Sequence, residues 1–383
     1  MPDFDFSSFH KICSIGDGIK YVEMNNTVGQ RWYIPLKNSK THLSLFQPSS
    51  DKGKIIIKLF NVIKYFPFVL HLINAKVIRL NFSSDFTAFI NELFKFHNCD
   101  FGIFCGSPGN HQKLTLLVAH GKTVLGYCKL SDKDCIKDLF KKESKTLDYL
   151  HKKGIDDVPK SLFCGNLSFC NNIDIFVQST KRHGKIKSAT STSKELIHFI
   201  NKFNIKTSQV MPFNESDFAK SLNRLSNNLH LLGDSEIQFV YRKAIDMISE
   251  HYQYPLTFCA YHGDLTPWNS FIVDRKLFAF DLEYFKLTYT PWCDYFHFFT
   301  QDMLYNAYAD AEQIYHQYQE IRQNVLAKIQ EHNILYLSYL LIITDFYLNR
   351  DNGILNNRLD KCFKIWSQLI KYLIKDVKES HQQ

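Results

Sequence analysis

His262-Gly263-Asp264-Leu265-Thr266-Pro267-Trp268-Asn269 is followed a short distance later by Phe280-Asp281-Leu282-Glu283. Between them, Phe271-Ile272-Val273, Asp274-Arg275-Lys276 and Leu277-Phe278-Ala279-Phe280 read as strand, polar turn and strand. A hairpin returns its two ends to one place, so this one should carry Asn269 and Asp281 to the same end. Asp264, Asn269 and Asp281 then form a cluster of oxygen-bearing side chains, with Glu283 close by.

Such a set suits phosphoryl transfer from a nucleotide. That chemistry needs a carboxylate to receive or orient the acceptor hydroxyl, and oxygen ligands to hold magnesium against the phosphates. Asp264 is the candidate for the hydroxyl; Asn269 and Asp281 are the candidates for metal. The His-x-Asp-x-x-x-x-Asn signature with the downstream Phe280-Asp281-Leu282-Glu283-Tyr284 resembles the aminoglycoside phosphotransferase and choline kinase family of the protein-kinase-like fold. Thr266 stands where protein kinases usually place a lysine, and Leu282-Glu283 replaces their Phe-Gly. The resemblance spans about residues 96 to 300. It leaves Glu283 open between a role toward metal or acceptor and a supporting role toward backbone or arginine. It implies an α+β, bilobal fold: a small antiparallel-sheet N-lobe over residues 96–180, a mainly helical C-lobe over 181–383, and an N-terminal extension over 1–95.

The upstream parts follow in the order this resemblance requires. Phe101-Gly102-Ile103-Phe104 and Lys113 to Val118 read as strands around Cys105-Gly106-Ser107-Pro108-Gly109-Asn110. Gly106, Ser107 and Gly109 are the candidates for lying against phosphates, although a plain hairpin turn explains the pattern equally well. Thr123 to Leu130 reads as a strand carrying Lys129, the candidate phosphate contact. Apolar Ile136, Leu139, Phe140, Leu147 and Leu150 place a helix over 134–151. Glu143 lies on that helix, fourteen residues beyond Lys129, and an ion pair between the two would aim the lysine. Ser161 to Cys164 and Ile173 to Ser179 read as strands. The second feeds a hinge where the resemblance puts the purine against the backbone of Gln178, Ser179 and the residues to Lys181.

Beyond the hinge, Thr192-Ser193-Lys194-Glu195 is a capping-box pattern opening a helix with Leu196, Phe199 and Ile200. Helical periodicity continues over 218–232, 237–251 and much of 301–378. Pro291-Trp292-Cys293-Asp294 fits a turn in which Asp294 caps or buttresses the Asp264 loop. Trp268, Tyr284, Trp292, Tyr295 and Phe296 could form an aromatic cage for a cationic acceptor, or could be core.

The chain has 383 residues, 45% of them hydrophobic, which supports real cores. Its ten cysteines show no Cys-x-x-Cys pair, and no charged leader precedes an apolar signal core, so reduced thiols and a cytoplasmic location are expected. The apolar runs Tyr65 to Ala75 and Ile334 to Thr344 are shorter than the roughly 18 residues a bilayer span needs. Ile55 to Leu80 mixes apolar residues with Lys58, Lys64, Lys76 and Arg79; a core helix pair broken at Pro67 is expected, and peripheral contact with an anionic membrane is the alternative. The net charge of +8 favours anionic partners, but no nucleic-acid module is present. Arg31 to Leu36 and Leu43 to Phe46 read as strands of the extension.

Together these features imply an ATP- and Mg2+-dependent kinase for a small-molecule hydroxyl: choline, an amino sugar, a sugar or a saccharide precursor. The extension resembles that of kinase-like proteins of bacterial surface-polysaccharide loci. The rival is a nucleotide-binding pseudokinase or scaffold in a cell-envelope assembly complex.

Overall fold

Alternation at period two organises the first half of the chain. In the computed structural model, which describes residues 6, 9–27, 29–46, 51–109, 112–170, 172–252, 256–350 and 357–380, Tyr21 and Tyr33 face one side of a sheet while Val22, Met24, Trp32 and Ile34 face the other. Successive side chains of a strand point to opposite faces, so a strand with no polar face must be covered twice. The elements that do this are β1 (Cys13–Asn25), β2 (Arg31–Pro35), α1 (Ser39–His42), α2 (Asp51–Ile63), α3 (Pro67–Leu72), β3 (Ala75–Phe82) and α4 (Ser84–Phe94). Then come β4 (Asp100–Phe104), β5 (Leu114–His120), β6 (Thr123–Ser131), α5 (Asp134–Lys152), β7 (Ser161–Asn166) and β8 (Asp174–Ser179).

All eight strands form one antiparallel sheet in the order β3-β1-β2-β4-β5-β6-β8-β7. Phe86 and Ile90 of α4 join the core on one face with Ile103, Leu116, Val118 and Val177; Phe60 of α2 and Leu70 of α3 cover Val22, Trp32 and Ile34 on the other. The first 95 residues thus supply β1 to β3 of the sheet that also carries β4 to β8. Leu43 to Phe46, expected as a strand, is a helical turn instead. Phe46 N–H returns to Leu43 O at 3.0 Å and the Ser44 hydroxyl to Thr41 O at 2.9 Å, so local bonds replace a ladder. Pro67 opens α3 as its first residue, where its missing N–H leaves no bond unmade.

The chain divides into two compact units: the first runs to His151 and takes in Val158–Ile186, the second comprises Lys152–Asp157 and everything from Lys187. The second holds α6 (Lys194–Thr207), β9 (Gln209–Met211), α7 (Asp217–Asn228), α8 (Ser235–His251), β10 (Leu256–Tyr261), β11 (Ser270–Val273), β12 (Lys276–Ala279) and β13 (Lys286–Tyr289). It ends with α9 (Cys293–Tyr305), α10 (Ala311–Asn324), α11 (His332–Arg350) and α12 (Asn357–Ser380). The α+β class therefore holds, with an antiparallel sheet in one unit and a mainly helical second unit. Its centre is α11, buried from Asn333 to Asp345 except at Leu335 and packed on α7, α8, α9 and α12. A helix apolar all round belongs in a core or a membrane, and here four helices surround it. Among the described residues no helix is long and apolar enough to cross a membrane.

The helix expected from the capping box begins as expected, at Lys194, but the box does not form. Its N-cap is Ser193, whose hydroxyl accepts the Thr190 N–H at 2.9 Å rather than a helix donor.

Candidate active site

In the first unit, strand register sets the geometry. Phe104 lies opposite Thr115, Thr115 opposite Lys129, and Lys129 opposite Phe176, forming one row across four strands. The turn after Phe104 is therefore at the end of the sheet where Lys129 stands. Gly106 has φ +67°, and a Cβ there would lie 2.8 Å from Lys113 O, so the turn closes only around glycine. Gln30 donates to the Ser107 hydroxyl at 2.7 Å, and Lys133 Nζ donates to Gly109 O at 2.7 Å. Asn110 lies outside the described residues.

Lys129, only 5% exposed, meets both carboxylate oxygens of the fully buried Glu143, at 3.0 and 2.7 Å. The strand supplies the lysine, and α5 supplies the glutamate from its inner face, beside Phe140 and Leu147. A charge so buried needs its partner. Near the end of β8, Gln178 is buried and its Oε1 has no hydrogen-bond partner among the described residues. The Ser179 N–H donates to Lys160 O at 2.9 Å, and its hydroxyl accepts the Lys160 N–H at 2.8 Å. Pairing with Lys160 thus already engages the Ser179 backbone donor.

In the second unit, β11 and β12 pair from Ser270 opposite Ala279 to Val273 opposite Lys276. The Phe280 N–H then bonds Asn269 O at 3.0 Å, which sets Asn269 beside the start of the Asp281 segment. Thr266 is fully buried, and its hydroxyl accepts the Asn269 N–H at 3.2 Å, so this residue shapes the loop. The Asn269 side-chain amide donates to Asp264 O at 3.1 Å and to Asp264 Oδ2 at 2.7 Å. Its nitrogen is thereby fixed on Asp264, and its oxygen is the end left for other ligands.

Asp264 keeps 33% of its side chain exposed, and its other oxygen meets His297 Nε2 at 3.2 Å. The hydroxyls of Tyr339 and Tyr261 face His297 Nδ1 at 3.3 and 3.4 Å. With Nδ1 accepting from a tyrosine, Nε2 carries the proton donated to Asp264. Burial raises the Asp264 carboxyl above its ordinary value; His297 opposes this, and the charges of Asp281 and Glu283 add to it. Asp294, in the first turn of α9, accepts the His262 N–H on both oxygens, at 3.1 and 3.0 Å, and so buttresses the loop. Gly263 has φ +91°, and a Cβ would come within 2.6 Å of Tyr284 O, so glycine lets the loop press against the segment after Asp281. Asp281 itself has φ +71°, a left-handed conformation that costs a non-glycine residue roughly 1–2 kcal/mol and is best tolerated by Asp and Asn.

No family model matches the chain. No curated protein matches it either. Several solved structures do. A protein assigned as a fructosamine-3-kinase from Haemophilus somnus 129PT is 15% identical, covering 75% of this chain and 96% of its own, with a TM-score of 0.43. A thermostable mutant of the aminoglycoside phosphotransferase APH(4)-Ia, in a ternary complex with AMP-PNP and hygromycin B, is 13% identical, covering 76% and 98%, with a TM-score of 0.48. Choline kinase from Cryptosporidium parvum Iowa II is 12% identical, covering 74% and 90%, with a TM-score of 0.41.

The groups near Asp264 left to ligate a cation carry oxygen: the carboxylates of Asp264, Asp281 and Glu283 and the Asn269 amide oxygen, the His297 nitrogen being engaged on Asp264. That chemistry fits a hard cation such as magnesium. Among the described residues no group of three or more His, Cys, Asp or Glu side chains could hold a metal alone. A cation here would draw further oxygens from water and a bound ligand, which is how magnesium is usually held with phosphates.

His297 is the site residue that sequence reading missed. Its signal was its place three residues after Asp294 on one helix, since positions i and i+3 share a face. Of the five aromatic residues named above, Trp292, Tyr295 and Phe296 are core, while Trp268 and Tyr284 are half-buried.

Proposed function

We propose that this chain is an ATP- and magnesium-dependent phosphotransferase of the protein-kinase-like fold, moving the γ-phosphoryl group to a hydroxyl of a small molecule. The observation that carries the reading is the Asp264 carboxylate, held on one oxygen by Asn269 and on the other by His297, and still open to solvent. A carboxylate so oriented can accept a hydroxyl proton as the oxygen attacks. Its raised proton affinity makes it a better base than an ordinary aspartate.

In this reading Lys129, aimed by Glu143, contacts nucleotide phosphates, and the turn at Gly106, Ser107 and Gly109 lies against them. Gln178 and Ser179 border the purine. Asn269 and Asp281 hold magnesium, with Glu283 beside them; the bound ion and nucleotide supply the phosphoryl group and neutralise its charge. Residues 96–180 serve as the nucleotide-binding lobe, 181–383 as the catalytic lobe and 1–95 as an extension. The acceptor belongs among choline, amino sugars, sugars and saccharide precursors of the surface-polysaccharide type, and the reaction takes place in the cytoplasm.

A thermal-shift titration with ATP, with and without magnesium, tests it. A ligand at 100 times its Kd stabilises by about 2.7 kcal/mol. The wild type should shift with ATP plus magnesium and not with magnesium alone, since the protein offers too few ligands. Asp281→Ala should lose the magnesium-dependent part. Asp264→Asn should retain the shift while phosphoryl transfer falls at least about 100-fold. Transfer surviving both substitutions near the wild-type rate would overturn the proposal, and no shift with any nucleotide would favour a scaffold.

A further inference from the structure

We propose that the outer face of α2 and α3 docks this chain on an anionic lipid bilayer. This stands on the first unit alone and does not depend on the phosphotransferase reading. A helix lying on a sheet needs one apolar stripe. In α2, Ile56 and Phe60 provide it, packing with Trp32 and Ile34. A second stripe, Ile55, Leu59 and Val62, has the same helical spacing and faces solvent, each residue more than half exposed. Beyond it, Tyr65, Phe66, Phe68 and Leu72 are exposed on the turn and on α3, while Leu70 is turned inward. Seven large apolar side chains thus lie open within one helix-turn-helix, and no part of the described fold covers them.

Charge decides the occupant. From Lys54 to Leu80 the sequence contains four lysines and one arginine, but no Asp or Glu. Lys64 is buried and bonded to Leu36 O and the Ser39 hydroxyl, so it serves the fold. Lys54, Lys58 and His71 are exposed on the two helices, whereas Lys76 pairs with Glu23 and Arg79 bonds Gly18 O. The core of a protein interface is depleted in lysine. An interfacial helix pairs an apolar face with lysine and arginine, and is held by acyl-chain burial together with attraction to anionic headgroups. Tyr65 supplies a ring that settles at headgroup depth, and Phe66 and Phe68 add to the apolar face an interfacial helix buries.

Flotation of the full chain with phosphatidylcholine vesicles, with and without phosphatidylglycerol, tests this. The wild type should float with the anionic vesicles and not with the neutral ones, less strongly as salt is raised. Phe66→Ser/Phe68→Ser should lower the partition at least tenfold with an unchanged Tm, because these side chains are 54% and 74% exposed. Lys54→Glu/Lys58→Glu should lower it without touching an apolar group. The proposal is overturned if the wild type does not bind anionic vesicles, or if both variants bind as the wild type does. A lipid-free dimer of the wild type that Phe66→Ser/Phe68→Ser makes monomeric would also overturn it, since a second copy would then cover the face.

Discussion

Asp294 and His262 are joined through the loop backbone yet respond oppositely to pH. Burial pushes the Asp294 carboxyl from 3.8 up to about 7, against the backbone N–H groups of His262 and Gly263. Burial pushes the His262 imidazole from 6.5 down to about 3, against the pull of Asp281. Between pH 3.8 and 7 the folded chain holds a proton on Asp294 that the unfolded chain releases, so this contribution to stability falls as pH rises. Between pH 3 and 6.5 the unfolded histidine binds a proton that the buried one refuses, so that contribution rises with pH. In the overlap, from about pH 4 to 6.5, the two nearly cancel. Asp294→Asn should therefore leave stability climbing with pH there, and His262→Gln should leave it falling, each by up to about 1.4 kcal/mol per pH unit. Urea melts across this window check it; parallel profiles in all three proteins would contradict it.

The hairpin that positions Asn269 and Asp281 was legible as an element, because two short unbroken apolar runs flank a polar break. Its turn was less so. Strand β12 starts at Lys276, leaving Asp274 and Arg275 as a two-residue turn with φ +50° and +59°. Both positions of such a turn need positive φ, which Asp tolerates and Arg does not. Arg275→Gly should then stabilise the protein by about 1 kcal/mol, the relieved strain exceeding the added freedom of the unfolded chain. A Tm at or below wild type would show that the turn holds no such strain. The helical turn at Leu43 to Phe46 and the unformed capping box show the same limit: short segments are decided by which local bond wins, and composition does not rank those bonds.

Across the whole molecule, none of the ten cysteines is joined in a disulfide. Eight are buried, Cys164 is half-buried and Cys135 is exposed. Burial keeps the thiolate scarce, pushing Cys13 up to about 12 and Cys99 up to about 11. A thiol-titrating disulfide reagent should thus react promptly with Cys135 alone, slowly with Cys164, and with all ten only in denaturant. Fewer than ten after unfolding would indicate a disulfide and contradict the expected reduced state.

By itself the sequence determined the elements whose signal is local. These include the strands around the glycine turn, the helix that follows Lys129, the hairpin after Asn269 and the return of that hairpin's two ends to one place. Periodicity and turn chemistry act over a few residues, so they are readable without the fold. Only the tertiary structure decided what meets across long separations. It brought His297 to Asp264, a contact the sequence reading missed, whereas the Lys129–Glu143 pair and the Asp294 buttress were expected from the resemblance and are formed. It joined β1 to β3 with the later strands in one sheet, and it turned one stripe of α2 inward while leaving its twin in solvent. Both stripes are apolar and share the i, i+4 spacing, so only the position of the sheet beneath them could distinguish core from surface.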